Sequence, residues 1–280
     1  MIGRFISKLR SPVVHFRITG DITEVTTKRV QAHMKKLSYL TPKLLAVSVN
    51  SCRGSFVQAE IISDTFKKFS LSKECPFYTF AEDYALGPGY CLLSSGHQAF
   101  ADIHSILGGI STSFQQLGLQ QFAKDFSIEP VFIAAGKNKV RLNPFEKVKQ
   151  EDEKWIKQLL NSRQELMKKH VLSHRKNLQV TPQNEKEILG GEIYSAKKAI
   201  DVGLIDGVKE ISSFAEQEFP GVKTWYYKVT GKERRFVARG EIEKWIENAN
   251  QGYLSQEEIL ELMNEICQYG LSHRMEAKIN

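Results

Sequence analysis

Between residues 13 and 101 short β-branched runs alternate with longer stretches of helical period, and this alternation restricts the fold more than any other feature of the chain. Val13, Val14, Phe16 and Ile18 form an apolar run that stops at Gly20. Thr26–Tyr39 then carries Val30, Met34 and Leu37 at helical spacing, and Leu44–Val49 is a second apolar strand closed by the turn-like Asn50–Ser55. The same reading predicts a helix over Phe56–Phe69 and a third strand over Phe77–Ala81. A loop follows at Glu82–Gly89, then a helix from Tyr90 to Leu93 entered through Gly87-Pro88-Gly89, then a short strand at Ala99–Ala101. Strands separated in this way by helices imply an α/β fold with a mainly parallel sheet. Such sheets take ligands at the carboxyl ends of their strands, which singles out the loops Asn50–Ser55 and Glu82–Gly89.

Further along, Glu151–Val171 reads as a long charged helix and Ser195–Val202 as a short one stopped by Gly203. Thr224–Ala238 is a basic β segment containing Trp225, Tyr226 and Tyr227. In the tail, Glu241–Tyr269, residues Ile242, Trp245, Ile246, Ile259, Leu260, Met263 and Ile266 form amphipathic stripes expected to pack on the domain or on a partner. The chain thus divides into a basic N-terminal segment (1–12), an α/β domain (13–210), and a β segment with a helical C-terminal extension (211–280).

A formal charge of +7 on 280 residues suits anionic partners. Much of the Lys and Arg, however, is interleaved with Glu over Glu151–Lys169, the pattern of a solvated helix face, and no nucleic-acid motif accompanies it. No apolar stretch reaches the roughly 18 residues of a spanning helix, so the chain is expected to be soluble or peripheral. Cys52, Cys75, Cys91 and Cys267 show neither a CxxC pair nor metal spacing and read as free thiols. His170 and His174 share a helical face but lack a nearby ligand in sequence, and are expected at the surface; no metal or cofactor is expected. The start, MIGRFISKLR, is amphipathic and free of acidic residues. It fits a mitochondrial targeting segment or an ordinary basic arm on a cytoplasmic protein.

Six segments, in order, resemble the signal peptide peptidase A family of serine–lysine peptidases. Val13–Ile22 looks like the family's first strand, and Leu45–Ser55 (LAVSVNSCRGS) resembles the strand ending in Asn-Ser-Pro-Gly-Gly-Ser. Ala85–Tyr90 (ALGPGY) resembles Ala-Ala-Ser-Gly-Gly-Tyr, which carries the nucleophile, and Ser105–Ile110 resembles Gly-Ser-Ile-Gly-Val-Ile. Gly136–Lys139 (GKNK) resembles the Gly-Lys-Tyr-Lys of the general base, and Gly191–Asp206 resembles the segment running from Gly-Arg-Val-Tyr-Thr to Gly-Leu-Val-Asp. The resemblance covers residues 13 to about 210 and implies a ClpP/crotonase-like fold.

It also implies a degenerate site. The nucleophile position is Gly87, the general-base position Lys139, and the oxyanion loop holds Arg53 and Gly54, with Cys52 in place of the family's proline. Amide hydrolysis by such a dyad needs a hydroxyl beside the lysine and backbone N–H donors for the oxyanion, and glycine offers no hydroxyl. Ser94, Ser95 and Cys91 are the candidates for a displaced nucleophile; all three read as helix residues instead, Cys91 one turn below Gly87. These observations predict a non-catalytic member acting as a structural subunit of a protein complex, mitochondrial or else cytoplasmic. Hetero-oligomeric partners are expected, with a homo-oligomer and peripheral membrane contact left open. The alternative is an active hydrolase with a displaced nucleophile, or a crotonase-like acyl-CoA enzyme in which Glu82 and Asp83 supply the carboxylates.

Overall fold

A computed structural model describes residues 11–136 and 138–231, so the amphipathic start Met1–Arg10 and the tail Glu241–Tyr269 lie outside the described residues. These residues form two compact units, 11–113 with 159–231, and 114–136 with 138–158.

The first unit is built on a mainly parallel sheet of β1 (Val13–Thr19), β2 (Leu44–Ser51), β3 (Phe77–Leu86), β4 (Gln98–Ala101), β5 (Ile106–Gly108), β6 (Ile193–Ser195), β7 (Gly207–Val208) and β8 (Thr224–Thr230). The strand order is β6-β5-β3-β2-β1-β8, with β4 beside β3 and β7 beside β4. Only the β5–β6 pair is antiparallel among the described strands. The helices are α1 (Glu24–Lys36), α2 (Phe56–Lys73), α3 (Pro88–Ser94), α4 (Gln120–Asp125), α5 (Gln150–His174), α6 (Glu185–Ile188), α7 (Ala196–Asp201) and α8 (Ile211–Glu218). Of these, α4 and the first part of α5 belong to the second unit.

Alternation along the strands sends successive side chains to opposite faces. Val14, Phe16 and Ile18 join Val30, Met34, Ile62 and Phe66 in the larger core under α1 and α2, with the Phe16 and Phe66 rings 5.1 Å apart. Val13, Leu44, Ala46 and Phe80 meet Ile211 and Phe214 of α8 on the other face. Full burial of a Phe or Ile side chain contributes about 1.5–3 kcal/mol, so both faces are held by apolar burial.

Three expectations are corrected. First, β3 does not stop at Ala81 but runs to Leu86, so Glu82–Leu86 is strand and not loop. The Glu82 carboxylate accepts from Arg17 Nε and Nη2 at 2.7–2.8 Å, and Tyr84–Leu86 pair with Ile106–Gly108, so the acidic pair is held in the sheet. Second, the boundary at 210 cuts through the unit: α8 covers a sheet face, and β8 pairs residue for residue with β1. Third, His170 is not at the surface. It is buried, its Nε2–H donates to the Cys91 carbonyl at 3.0 Å, and its ring lies 5.5 Å from Phe56.

Candidate functional site

The loops that follow β1, β2 and β3 lie side by side because the strands are parallel, with the β2–β3 register shifting between Val49↔Ala81 and Ser51↔Ala85. Ser51 at the end of β2 pairs with Ala85 of β3, and Ile22 forms a parallel bridge with Gly54. In that bridge Ile22 N–H donates to Arg53 C=O at 3.0 Å and Ser55 N–H donates to Ile22 C=O at 2.8 Å. The N–H of Gly54 takes no part in either bond. Gly54 has φ +139°, and a Cβ there would sit 2.4 Å from Ile22 O, so this position accepts only glycine.

Gly87 is the corner between β3 and α3. Its backbone has φ +52° and ψ −113°, sparsely populated values that turn a strand sharply into a helix. The corner is fixed by Gly87 N–H donating to Gly108 C=O at 2.9 Å and by Cys91 N–H donating to Gly87 C=O at 3.0 Å. Pro88 follows at the first helical position, where its missing N–H costs nothing. A sharp strand-to-helix turn of this kind is how hydrolases present a nucleophilic side chain to solvent. Here the corner carries none. A Cβ at Gly87 would meet only Gly109 O, at 3.6 Å, so space for a side chain exists.

Gly89 differs, because its Cβ would lie 2.4 Å from Ser51 O, where helix and strand touch. Gly87→Ser is therefore expected to fold at a cost of about 1–2 kcal/mol from the positive φ. Gly89→Ala should cost about 3 kcal/mol, because the clash is with backbone. Urea unfolding of the two variants measures the difference, and equal losses would contradict this account of the corner.

The other residues singled out from sequence are distributed as follows. Arg53 is half-buried, with Nε 3.6 Å from Asp21 Oδ1, and that Nε is enclosed without a hydrogen-bond partner among the described residues. Cys91, Ser94 and Ser95 are buried in α3; the two hydroxyls donate to Cys91 C=O at 2.9 Å and Leu92 C=O at 2.6 Å. Burial also pushes the Cys91 thiol pKa far up, the opposite of an activated thiolate. Lys139 lies in the second unit, exposed, with its N–H donating to Gly136 C=O at 3.2 Å. Glu82 and Asp83 line a cleft of about 580 Å³ on the α8 face of the sheet, where Glu82 is held by Arg17 and Asp83 accepts from Asn50 Nδ2. No cluster among the described residues has the ligands for a metal ion.

The residues around the corner that sequence reasoning did not single out are structural. Tyr90 is fully buried and its hydroxyl donates to Leu204 C=O at 2.8 Å. Arg175 forms a two-pronged pair with Asp206 at 2.8 and 2.9 Å, and Asp206 Oδ2 also accepts from Ala99 N–H at 2.7 Å. Gln164 Nε2 donates to both Ile110 C=O and Leu189 C=O at 2.6 Å, tying the Ser105–Ile110 stretch to the region before β6. Tyr90 and Asp206 stand inside recognisable motifs. Arg175 and Gln164 carry no local signal, because their partners are 31 or more and 25 or more residues away.

Comparison with known proteins covers this same stretch. The family model described as Peptidase family S49 matches residues 70–218, which include the Gly87 corner and Asp206. A "Na(+)/H(+) antiporter NhaA" of Brucella abortus is 27% identical over 175 residues, 62% of this chain and 23% of that protein. A protein of the same name from Brucella melitensis matches to the same extent. A "Putative protease" of Methanocaldococcus jannaschii is 26% identical over 160 residues, 57% of this chain and 50% of that protein. The chain therefore spans 23% to 50% of the length of these curated relatives.

Proposed function

The chain is a signal peptide peptidase A-like member of peptidase family S49, and on that premise we propose that it is a non-catalytic one, serving as a structural or accessory subunit of a larger protein assembly. The observation that carries this reading is Gly87 at the strand-to-helix corner. An acyl-enzyme forms when a hydroxyl oxygen bonds to the scissile carbonyl carbon while a base takes the hydroxyl proton. Gly87 supplies no oxygen, and Lys139 then has no hydroxyl proton to accept. The burial of Cys91, Ser94 and Ser95 supports the same reading, since each nucleophilic atom is enclosed in the packing of α3. The engagement of Glu82 by Arg17 and of Asp83 by Asn50 weighs against the crotonase-like alternative, which needs a free carboxylate facing its substrate.

A role in assembly is supported by the second unit, where Phe126, Val131 and Ile133 are exposed by 59, 79 and 95%. Apolar side chains so exposed supply contact chemistry for a partner. The positive charge and the Trp225–Tyr227 segment supply further contact chemistry. Among the described residues no helix is long and apolar enough to cross a membrane.

Full-length protein incubated with a fluorophosphonate probe is expected to remain unlabelled and to cleave no peptide substrate. Labelling at Ser94 or Ser95, or modification of Cys91 with turnover, would overturn the proposal. Lys139→Ala is expected to leave co-purification with partners unchanged. Mitochondrial residence is part of the proposal and rests on the acid-free amphipathic start. Met1–Pro12 fused to a fluorescent reporter should carry it to mitochondria, and a cytosolic signal would remove that part.

A further inference from the structure

The edge strand β8 combines features that the degenerate site does not use. It is seven residues long, regular, and pairs with β1 at every position from Val13↔Thr224 to Thr19↔Thr230. Among the described strands β8 ends the sheet, so one row of its backbone N–H and C=O groups has no strand partner among them. No Pro or bulge interrupts it, although such devices commonly blunt an open edge.

Cations flank this edge. On α1, Arg29 donates through Nη1 to Thr230 C=O, the exposed Lys36 lies in the last turn, and between them His33, held neutral chiefly by burial and then by Lys36, lies 5.1 Å from the Tyr227 ring. These residues stand three or four apart and so form one stripe along the helix. Lys223 and Lys228 are exposed on the β8 side, and Tyr39, Trp225 and Tyr226 are exposed by 75, 37 and 51%.

From this juxtaposition we infer that β8 is a docking edge for an extended acidic segment of another protein, which adds to the sheet as a further strand. The segment's backbone pairs with β8 and its side chains alternate between the two faces, so that carboxylates on the α1 face meet Arg29 and Lys36, while those on the opposite face, which Tyr226 and Lys228 share, meet Lys228. A second copy of β8 is a poor occupant, because it would bring a second set of the cations Arg29, Lys36, Lys223 and Lys228 to the same edge with no carboxylates to meet them. A nucleic acid matches the charge and the aromatics but not the row of peptide hydrogen-bonding groups. The inference rests on the reading of this chain as an accessory subunit and names one of its contact surfaces.

The test uses the protein and a benzophenone-bearing acidic peptide that carries Glu on both faces of the extended strand, interspersed with Val and Thr. The peptide should bind, cross-link within residues 223–230, and weaken roughly tenfold or more between about 0.05 and 0.5 M salt. N-methylation of alternate peptide nitrogens removes the strand-pairing donors and should abolish binding. Lys228→Glu and, on a different element, Lys36→Glu should each weaken it several-fold while far-UV circular dichroism stays unchanged. Three results overturn the inference: cross-links elsewhere or none, equal binding of the N-methylated peptide, or displacement of the peptide from 223–230 by a single-stranded oligonucleotide. Labelling by the serine probe, or cleavage of the peptide, would instead sink the non-catalytic reading while leaving the cross-link map as evidence on the edge.

Discussion

Asp206→Ala is expected to be the most destabilising single exchange in the first unit, costing about 3–5 kcal/mol and lowering the melting temperature by roughly 10 °C. The side chain of Arg175 is only 3% exposed, and Asp206 is the carboxylate that neutralises it. Removing that partner leaves a buried guanidinium uncompensated and takes away the acceptor of Ala99 N–H. The pair itself is a different matter. Arg175 Nε is buried without a hydrogen-bond partner among the described residues, so the desolvation of the guanidinium is not fully offset. A double exchange, Arg175→Met with Asp206→Leu, should therefore be less damaging than Asp206→Ala alone. Thermal unfolding of wild type, both single variants and the double variant gives the coupling. If the double variant is as unstable as the sum of the singles, the pair is not acting as a buried ion pair.

The same residues show what the sequence can and cannot disclose. The β1 and β2 strands are legible because both faces are buried, so they appear as unbroken apolar runs bounded by Gly20 and by the polar stretch from Asn50, whose first two residues, Asn50 and Ser51, still belong to β2. The corner Gly87-Pro88-Gly89 is legible because its chemistry is local: a positive φ, a proline at the first helical position, and a glycine where helix meets strand. The second half of β3 is not, because Glu82 and Asp83 read as loop until Arg17 and Asn50 are brought beside them by pairing that local pattern does not encode. The three-residue strands β5 and β6 are too short to show a period, although Gly108 and Tyr194, which pack against each other there, belong to motif segments. At the candidate site, the identity of Gly87 is read directly from the chain. What its neighbours do, including Tyr90 reaching Leu204 and Arg175 reaching Asp206, depends on contacts more than 30 residues apart. The motif residues Gly54, Gly89, Tyr90 and Asp206 thus have structural duties that do not depend on a side chain at position 87. That is a physical reason for a recognisable family pattern to surround a position that lacks a nucleophile.

Acidification is expected to destabilise the first unit before its carboxylates are protonated. His15 and His170 both have their pKa lowered from 6.5 to about 4, chiefly by burial. The second cause for His15 is Arg17, which Glu210 partly opposes; for His170 it is His174, with Lys67 adding to it and Asp64 opposing. The geometry accounts for this resistance. His15 Nε2 is 2.7 Å from Ser48 Oγ, and its ring lies edge-on to Tyr226 at 5.2 Å. His170 is buried and stacks 4.4 Å from His174; its bond to Cys91 C=O and the Glu60 Oε1 3.9 Å from its Nδ1 favour the protonated ring and oppose the shift without cancelling it. His174 in turn donates through Nδ1 to His170 C=O and faces Lys67 through Nε2, so protonating the pair would place three cations together. In the unfolded chain each imidazole takes up a proton near pH 6.5, whereas in the folded chain it resists until about 4. Between those values the unfolded state binds more protons, so stability present above pH 6.5 is lost as the pH falls toward 4. The loss is on the order of 3 kcal/mol per histidine over the full interval, and roughly 2 kcal/mol from each by about pH 5. Urea unfolding followed at about pH 7, 6 and 5 measures the slope, and His170→Gln should roughly halve it. A slope that His170→Gln leaves untouched would assign the acid sensitivity to other groups, and a flat profile down to pH 5 would show that neither imidazole is held neutral by the fold.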